Sequence, residues 1–406
     1  MGYRFARASG RKLHLVQKLI NGFKVFVVDQ AWRLRCLATP NLRGAPRRHR
    51  EMLFGVAGVL AFAPQEPTLV KEPVPAAPCD GCTPVFWTGL AGSQCYRIPS
   101  IIQTHKGTLL AFSEARLGGC SDQGAHHLAL RRSSDGGKTW GAVITVAVGV
   151  VPCPGCPAAI SNPNPVELAL ADGSKALLLA YDTMNNPSSA HHGIDQTLTS
   201  YDDGETWVKA SNMSYGGSRG GLIGPSVGLQ ASDGTVYFSY IGVGEGHPHH
   251  LLWSKDLGAS WASSDPVAGV GECSIAFLID AADGRIIMNC RTSRHQRAQL
   301  VWSADGLALT NVSYPAGLVD ANCQGSIVNS GTGSLYTSNA ADGAARARMT
   351  IKSSEDHGAS WSVGVVVHAG PSAYSQLVPL GDRVGCLFEA GATSAYETIS
   401  FVAVDA

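Results

Sequence analysis

An eight-residue pattern, S-x-D-x-G-x-[TS]-W, recurs along the chain and constrains its fold more than any other feature. Asp accepts hydrogen bonds from nearby backbone amides, Gly adopts positive φ, and Trp covers a hairpin with apolar area. Each copy therefore predicts a β-hairpin turn with a structural role. Complete copies begin at Ser133, Ser200, Ser254 and Ser354, and a degenerate copy at Ser303 keeps the Asp but lacks the Trp.

The aspartates of successive copies lie 49 to 67 residues apart. Between them run short, strand-like segments that often follow an Asp-Gly or another Gly, as at 107–112 and 234–240. A period of about 50 residues with several strands per unit is typical of propeller blades. We predict an all-β fold, a six-bladed β-propeller of four-stranded antiparallel blades, over residues 89–406. Residues 64–88 contain six prolines and predict a linker.

Composition agrees with an all-β protein and excludes one class of function. Charged residues make up 15% of the chain, and 47 glycines suit many tight turns. The 31 basic and 31 acidic residues balance, but residues 1–50 hold twelve of the basic and one of the acidic residues. The remaining 19 basic and 30 acidic residues give an acidic body, and nucleic-acid binding needs basic surface. We expect no nucleic-acid partner.

Residues 1–63 resemble a targeting segment. Basic residues at 47–50 precede an apolar run at 52–63, which ends in an A-x-A sequence at 61–63. Twelve apolar residues are fewer than the roughly 20 that span a bilayer, so we expect no stable membrane span. We predict the secretory pathway, lysosomal or extracellular; an organellar transit peptide and a start at Met52 are alternatives. Two N-x-S sequons, at 212–214 and 311–313, would be usable there.

The chain contains eleven cysteines, and two pairs have C-x-x-C spacing. These pairs are Cys79/Cys82 and Cys153/Cys156. In an oxidising compartment disulfides are favoured over a zinc site, although spacing does not determine connectivity. Cys36 lies in the targeting segment, and the ten other cysteines permit full pairing.

Five histidines have spacings that suggest metal ligation. They fall in two separate segments, so we expect solvated loop histidines rather than a metal site. They are His126, His127, His247, His249 and His250.

Short polar motifs occur in a fixed order between the repeats. They lie at 96–99 (YRIP), 111–116 (AFSEAR), 121–124 (SDQG), 271–273 (GEC), 289–291 (NCR), 346–350 (RARMT), 370–375 (GPSAYS) and 387–389 (LFE). This ordered set resembles the exo-α-sialidases over nearly all of residues 90–406. The sequence at 253–261 is most similar to lysosomal-type animal sialidases. The resemblance implies release of terminal sialic acids from glycoproteins, glycolipids and oligosaccharides, without metal or cofactor; it leaves protein partners unknown.

The resemblance also implies a triad of arginines that binds the sialic acid carboxylate. Guanidinium groups suit this role because they form planar, charge-assisted contacts with carboxylates. The members are Arg97, Arg291 and Arg346. Arg348 competes with Arg346 because it lies two residues away, on the same face of a regular strand. We prefer Arg346 because the Met-Thr that follows matches the family pattern.

Catalytic roles follow from the same resemblance. Tyr374 is the expected nucleophile and Glu272 its base, since a neutral phenol avoids repulsion by the substrate carboxylate but has a pKa near 10. Nearby arginines should favour the phenolate. Asp122, in a polar loop, is the expected general acid/base. Glu389 should orient Arg97 without touching substrate.

Glu114 and Arg116 are expected to line the pocket near the ring substituents of the sugar, with a surface ion pair as the alternative. Two other functions remain open from sequence alone. In a trans-sialidase a sugar hydroxyl would replace water as the acceptor. A non-catalytic sialic-acid-binding propeller would keep the scaffold without turnover.

Overall fold

The structure is a computed structural model in which the chain divides into two compact units, Met1–Leu69 and Val70–Ala406. It describes residues 73–405 except 123, 150–158, 184–194, 214–220, 243–245, 281 and 332, together with the backbone of two N-terminal strands. Those strands, β1 (Leu15–Ile20) and β2 (Phe23–Val28), pair antiparallel. The rest of the expected targeting segment, including the apolar run, lies outside the described residues.

In its described residues, the second unit consists of antiparallel strands and one 3-10 turn at Leu90–Gly92. Its strands are β3 (Thr83–Trp87), β4 (Cys95–Gln103), β5 (Leu109–Arg116), β6 (His126–Ser133), β7 (Ile144–Ala147), β8 (Ser161–Ala169), β9 (Lys175–Asp182), β10 (Gln196–Ser200), β11 (Val208–Asn212), β12 (Leu222–Ile223), β13 (Leu229–Gln230), β14 (Val236–Ile241), β15 (His249–Ser254), β16 (Ala262–Ser263), β17 (Cys273–Phe277), β18 (Ile286–Cys290), β19 (Ala298–Trp302), β20 (Leu309–Ser313), β21 (Ser326–Asn329), β22 (Leu335–Ala340), β23 (Ala347–Ser354), β24 (Val365–Pro379), β25 (Arg383–Ala390) and β26 (Thr398–Asp405).

Consecutive strands pair to form the sheets. The orders are β4-β5-β6-β7, β11-β10-β9-β8, β12-β14-β15-β16 with β13 also on β14, β17-β18-β19-β20, and β21-β22-β23-β24-β25-β26-β3. In the last sheet, β24 pairs with β23 through its first half and with β25 from Ser372 onward. The seven-stranded sheet is therefore two four-stranded groups that share one long strand. This confirms the predicted all-β, antiparallel fold.

The segment assigned from sequence to a linker, 64–88, ends in a strand. Residues Thr83–Trp87 form β3, which pairs with β26 near the other end of the chain. Because β3 is the edge strand of its sheet, it has no second neighbouring strand. Pro84, which lacks an N–H, therefore removes no hydrogen bond on that side. The proline content predicts an irregular segment throughout. Only the pairing with β26 shows that the last part of the segment is a regular strand.

The repeated pattern forms hairpin turns, as predicted. In the first copy, Ser133 Oγ donates to Asp135 Oδ1 at 2.8 Å and accepts from Gly137 N at 2.9 Å. Asp135 Oδ1 also accepts from Thr139 N at 2.9 Å, which ties both sides of the turn to one carboxylate. The complete copies at 200, 254 and 354 repeat these bonds. In every case the turn joins the third and fourth strands of a four-stranded group.

Each turn also packs against the neighbouring group. The first turn shows why glycine is needed: Gly137 has φ +88°, and a Cβ there would collide with the ring of Phe401 on β26. Trp140 packs edge-on against the same ring, with centroids 5.8 Å apart. Trp207 of the second turn packs on Phe112 of the first group at the same distance. The first group thus contacts the last group as well as the second.

Buried serines join the innermost strands of different groups. Ser100 Oγ of β4 donates to Ser226 O at 3.3 Å, and the Ser226 and Ser274 hydroxyls lie 3.1 Å apart. Ser274 Oγ accepts from Ile327 N at 3.2 Å, and Ser326 Oγ accepts from Leu377 N at 2.9 Å. These bonds therefore link the strands β4, β17, β21 and β24, with Ser226, between β12 and β13, as the connection from β4 to β17. An apolar cavity of about 350 Å³ lies between their C-terminal ends.

Three disulfides occur among the described cysteines, while two cysteines are buried and unpaired. The ten-cysteine pairing that sequence permits is therefore not realised. Cys153 and Cys156 lie outside the described residues. The bonds are Cys79–Cys82, Cys95–Cys120 and Cys273–Cys290, and the free thiols are Cys323 and Cys386.

The expectation of solvated loop histidines is wrong for several positions. His126 and His249 lie on strands and are fully buried, and His250 on β15 bonds to Ser264 O at 2.9 Å. Burial lowers the pKa of His249 to about 3, so this ring is neutral. Alternation along a strand, which places every second residue inside, explains why histidines that look like loop residues are buried.

Within the described ranges, no helix is long and apolar enough to cross a bilayer.

Candidate active site

Glu389, a fully buried residue of β25, connects two of the motifs. Its carboxylate accepts from Arg97 Nε at 3.0 Å and Nη2 at 3.3 Å, and from the backbone amides of Ile98 at 3.0 Å and Tyr374 at 3.1 Å. Ile98 has φ 59°, an unfavourable region for a β-branched residue, within an irregular part of β4. The carboxylate therefore holds both the Arg97 side chain and the strained backbone beside it.

Tyr374 is paired with Glu272. Its hydroxyl donates to Glu272 Oε1, and Glu272 Oε2 accepts from Arg291 Nη1 at 2.7 Å. Burial, followed by the neighbouring Glu272 carboxylate, raises the pKa of Tyr374 well above its usual value, although Arg97 and Arg291 act in the opposite direction. The expectation that arginines favour the phenolate is right in direction, but burial outweighs it. The phenol of Tyr374 is therefore neutral in the free protein.

Three arginines surround this pair. The Arg97 guanidinium carbon lies 4.9 Å from the centroid of the Tyr374 ring, and that of Arg346 lies 5.5 Å from it. Arg291 reaches the same group through Glu272, and its Nε donates to Asn322 Oδ1 at 2.7 Å. The structure thus brings together the three arginines predicted from sequence. The charge that they concentrate suits an anionic group of a ligand.

The structure separates Arg346 from Arg348. Arg348 is exposed and has φ 61°, and the register of β23 with β24 shifts between Ala347 and Met349, across Arg348, and again between Met349 and Thr350. This irregularity interrupts the alternation of the strand, so the two arginines do not share a face as a regular strand would require. Arg346 is half-buried and donates from Nη1 to the Tyr396 hydroxyl at 3.0 Å.

Tyr396 is a site residue that the sequence analysis missed. Its ring lies 4.5 Å from the Arg97 guanidinium carbon, while its hydroxyl accepts from Arg346. One side chain therefore contacts two of the three arginines. Tyr396 belongs to none of the motifs quoted above, and no pattern in its neighbourhood set it apart.

Cys323 lies buried in the same cluster, and burial raises the pKa of its thiol to about 12.

On the other side of Arg97, a buried ion pair supports Asp122. Arg116 donates from Nη2 to Glu114 Oε2 at 2.6 Å and from Nη1 to Asp122 Oδ1 at 2.7 Å. The side chains of Glu114 and Arg116 are 1% and 2% exposed. The surface ion pair considered from sequence is therefore wrong. Arg116 bonds to both carboxylates, so its charge is shared between Glu114 and Asp122.

Asp122 is the most exposed of the predicted site residues, with 61% of its side chain accessible. Its Oδ1 accepts from Arg97 Nη1 at 3.3 Å as well as from Arg116. Partial burial acts to raise the pKa of Asp122, but Arg116 and then Arg97 outweigh it and lower the pKa below its usual value. Asp122 is therefore ionised near neutral pH in the free protein.

His126 supports the loop that carries Asp122 and was not assigned this role from sequence. Its Nε2 lies 2.9 Å from Ser121 O, and its Nδ1 lies 3.7 Å from Glu114 Oε2. Burial lowers the pKa of His126, which favours the neutral ring.

Comparison with known proteins gives the family of the chain. The sequence model of the family described as BNR repeat-like domain matches residues 107–386. Because the match spans more than half of the chain, the chain belongs to this family.

Curated relatives of the chain are sialidases. It is 28% identical over 395 residues to a sialidase of Micromonospora viridifaciens, covering 87% of this chain and 60% of that protein. It is 26% identical over 266 residues to sialidase-4 of Homo sapiens, covering 57% of this chain and 54% of that protein. The predicted resemblance to exo-α-sialidases is confirmed, while the closer likeness to animal enzymes is only weakly supported. The chain spans about three fifths of the length of the bacterial relative.

Solved structures give the same fold. The Hadza microbial sialidase Hz136 superposes with a TM-score of 0.68 at 24% identity, covering 80% of this chain and 68% of that one. The leech intramolecular trans-sialidase gives a TM-score of 0.62 at 14% identity, covering 80% of this chain and 70% of that one. At these identities the likeness concerns the fold alone.

Proposed function

We propose that this protein is an exo-α-sialidase, a glycoside hydrolase that releases terminal sialic acids from glycoconjugates. The observation that carries the proposal is the Tyr374–Glu272 hydrogen bond at the centre of three arginines. A buried, neutral phenol bonded to a carboxylate suits attack on a carbon that itself bears a carboxylate. The sialidase names of the curated relatives support the same class.

The arginines would bind the carboxylate of sialic acid. Glu389 engages Nε and Nη2 of Arg97, which leaves Nη1 on the side of Asp122. A substrate carboxylate would take over this nitrogen and would add contacts to Arg291 and Arg346. Charge-assisted bonds of this kind set the orientation of the anomeric carbon relative to the Tyr374 hydroxyl.

In the first half of the reaction, Glu272 takes the phenolic proton as Tyr374 Oη forms a bond to the anomeric carbon. The bond from that carbon to the leaving oxygen breaks, and Asp122 supplies its proton. Water then attacks the same carbon and gives a proton to Asp122, while Tyr374 leaves and regains its proton from Glu272. Two displacements give net retention.

Asp122 must be protonated to act as an acid, yet Arg97 and Arg116 lower its pKa in the free protein. A bound substrate carboxylate brings negative charge and occupies Arg97. Both effects favour the protonated form of Asp122. The pH dependence of kcat should therefore show a higher pKa for this group than that of kcat/KM.

The four-stranded groups would be the blades of a six-bladed β-propeller. Serine contacts link the groups from β4 to β24, and the repeated turn that begins at Ser133 in the first group packs on β26 of the last. A ring of blades accounts for both facts. In such a ring the inner strands start at one end. Arg97 on β4, Glu272 just before β17 and Tyr374, two residues after β24 begins to pair with β25, would meet there.

The location of the protein is a separate proposal. Disulfides persist in oxidising compartments, so Cys95–Cys120 and Cys273–Cys290 support the secretory pathway, with a lysosomal or extracellular destination. Asn311 of the second sequon lies exposed on the edge strand β20, where a glycan has access.

The full chain, incubated with a fluorogenic aryl α-sialoside between pH 3 and 8, tests the activity. Release of the fluorophore with retained anomeric configuration in the initial sugar product supports the proposal. A 2,3-difluoro sialosyl donor should lose the fluoride at its anomeric carbon to Tyr374 Oη and add the remaining 3-fluorosialosyl group to the peptide that contains Tyr374. Absence of release over the whole pH range by folded protein would overturn the hydrolase, and transfer of sialic acid to added lactose in preference to water would indicate a trans-sialidase. Binding of a sialoside without turnover would indicate a binding module.

A further inference from the structure

Two disulfides lie directly beside the residues that the proposed mechanism uses. Cys95 precedes Arg97 by two positions and Cys120 precedes Asp122 by two, and these cysteines are bonded to each other. The first disulfide therefore links the strand that carries an arginine of the triad to the loop that carries the acid.

The second disulfide has the same relation to another pair. Cys273 follows Glu272, Cys290 precedes Arg291, and the two cysteines are bonded. They are directly opposite each other in the register of β17 and β18. Beyond them, Arg291 N donates to Glu272 O at 2.9 Å, and the two side chains form an ion pair at 2.7 Å.

The two linked regions differ in how much other support they have. The loop between β5 and β6 has left the strand ladder, and its contacts include the Leu117 N bond to Ala125 O at 2.9 Å and the Arg116 bond to Cys120 O at 2.6 Å. Its disulfide spans a sequence separation of 25 residues. Glu272 and Arg291 already lie at the end of a ladder, so the second disulfide reinforces a pairing that the backbone also makes.

We propose that both disulfides are positioning crosslinks for the reaction: Cys95–Cys120 fixes Asp122 relative to Arg97, and Cys273–Cys290 fixes Glu272 relative to Arg291. This inference rests on the proposed sialidase function. The physical reason is that displacement of a reacting group by about 1 Å can cost on the order of a hundredfold in rate. A covalent link between neighbouring residues limits displacements of that size.

The two crosslinks should have different kinetic signatures. Loss of Cys95–Cys120 displaces a proton donor, so kcat should fall most for substrates with a poor leaving group. Loss of Cys273–Cys290 displaces a base together with a carboxylate ligand, so KM should rise while kcat falls. A crosslink that only stabilised the fold would change neither parameter in the folded fraction.

The test compares three double variants of the full chain: Cys95→Ser/Cys120→Ser, Cys273→Ser/Cys290→Ser, and Cys79→Ser/Cys82→Ser as the matched control. The control removes a disulfide that lies beside no site residue. Each variant is assayed below its own unfolding temperature with an aryl sialoside and with a sialyl oligosaccharide. We expect a loss of about tenfold or more for the first two, with the signatures above, and wild-type parameters for the control.

Unchanged kcat and KM in both site variants, at equal folded fraction, would overturn the inference even though the wild type is active. An inactive wild type would instead contradict the proposed function. If a site variant does not fold, the native protein is treated with a trialkylphosphine and the opened bond is identified by alkylation and mass spectrometry. Activity that falls in step with opening of Cys95–Cys120 or Cys273–Cys290 supports the inference, and full activity with both bonds open overturns it.

Discussion

Tyr374 and Asp122 both lie next to Arg97, but they are held in opposite ways. The side of the site that holds the proposed nucleophile, which we call the nucleophile side, consists of Tyr374, Glu272 and Glu389; it lies on or beside strands, and Tyr374 is 6% exposed. Asp122, the centre of the acid side, sits on a loop with 61% of its side chain exposed. Burial raises the pKa of Tyr374, while arginines lower that of Asp122 against the effect of partial burial.

The difference teaches how one cluster of arginines can serve two kinds of chemistry. Where burial is complete, desolvation dominates and a phenol stays neutral beside cations. Where solvent reaches the group, the cations dominate and a carboxyl stays ionised. In the proposed mechanism, the nucleophile therefore depends on a fixed base, whereas the acid depends on a change in its protonation that substrate brings. Each prediction below separates these two dependences.

The largest effect is expected for Tyr374→Phe. The ring that packs on Arg97 and Arg346 remains, but the attacking oxygen is lost, so kcat should fall by about a thousandfold or more while the thermal unfolding midpoint stays near that of the wild type. Turnover of an aryl sialoside measures kcat. Tyr396→Phe is the matched control, because it also removes one hydroxyl beside an arginine but leaves the nucleophile. Near-normal turnover by Tyr374→Phe would contradict the assigned nucleophile.

A smaller, substrate-dependent effect is expected for Asp122→Asn. Loss of a general acid costs about 10²- to 10⁴-fold, and this loss should appear with sialyl oligosaccharides but much less with aryl sialosides, whose leaving group needs little protonation. Because Asp122 is largely exposed, loss of its ion pairs with Arg97 and Arg116 should lower the unfolding midpoint only slightly. The ratio of kcat for the two substrates measures the effect. An equal loss on both substrates would show that Asp122 acts on binding or structure rather than on proton transfer.

Arg346→Ala should affect binding more than turnover. A hydrogen bond to a charged group is worth about 1.5–3 kcal/mol, so KM should rise by about ten- to a hundredfold. Arg348→Ala is the matched control, since Arg348 is exposed on an irregular part of the same strand. Inhibition constants of a 2,3-dehydro sialic acid analogue measure both variants. Equal weakening by the two substitutions would reopen the assignment of the third arginine.

The smallest effect on turnover, but a clear effect on stability, is expected for His249→Gln. Burial lowers the pKa of His249 to about 3, so below its unfolded pKa of about 6.5 the unfolded chain binds a proton that the folded chain does not. The free energy of unfolding therefore falls as the pH is lowered through this window, by about 3 kcal/mol from pH 6.5 to pH 4. His249→Gln should lack this share of the acid sensitivity, as measured by urea unfolding at several pH values.

His250→Gln, on the same strand, is the matched control for that measurement. Backbone bonds join His249 to Val267 in the segment that leads to Glu272, so protonation of His249 would loosen the nucleophile side. An identical pH dependence in wild type and His249→Gln would show that His249 does not carry the effect.

Much of the site could be predicted from sequence because its residues lie in short motifs. Arg97, Asp122, Glu272 and Tyr374 each have neighbours that mark them, and the structure brings them together. Tyr396 belongs to no motif, because a residue that acts through contacts with two distant arginines needs no local pattern. The burial of Arg116 could not be predicted either, because the sequence of a charged pair at the end of a strand is the same whether solvent or protein covers it.

The sequence by itself determined the period of the fold and the residue types of the site. Both are local properties: a turn needs Ser, Asp, Gly and Trp within eight positions, and a nucleophile needs its own side chain. Only the tertiary structure decided between Arg346 and Arg348, placed β3 beside β26 and paired the cysteines next to Arg97 and Glu272. These depend on which strands meet and where their alternation is interrupted. Such contacts join residues far apart in the chain, and no local pattern encodes them.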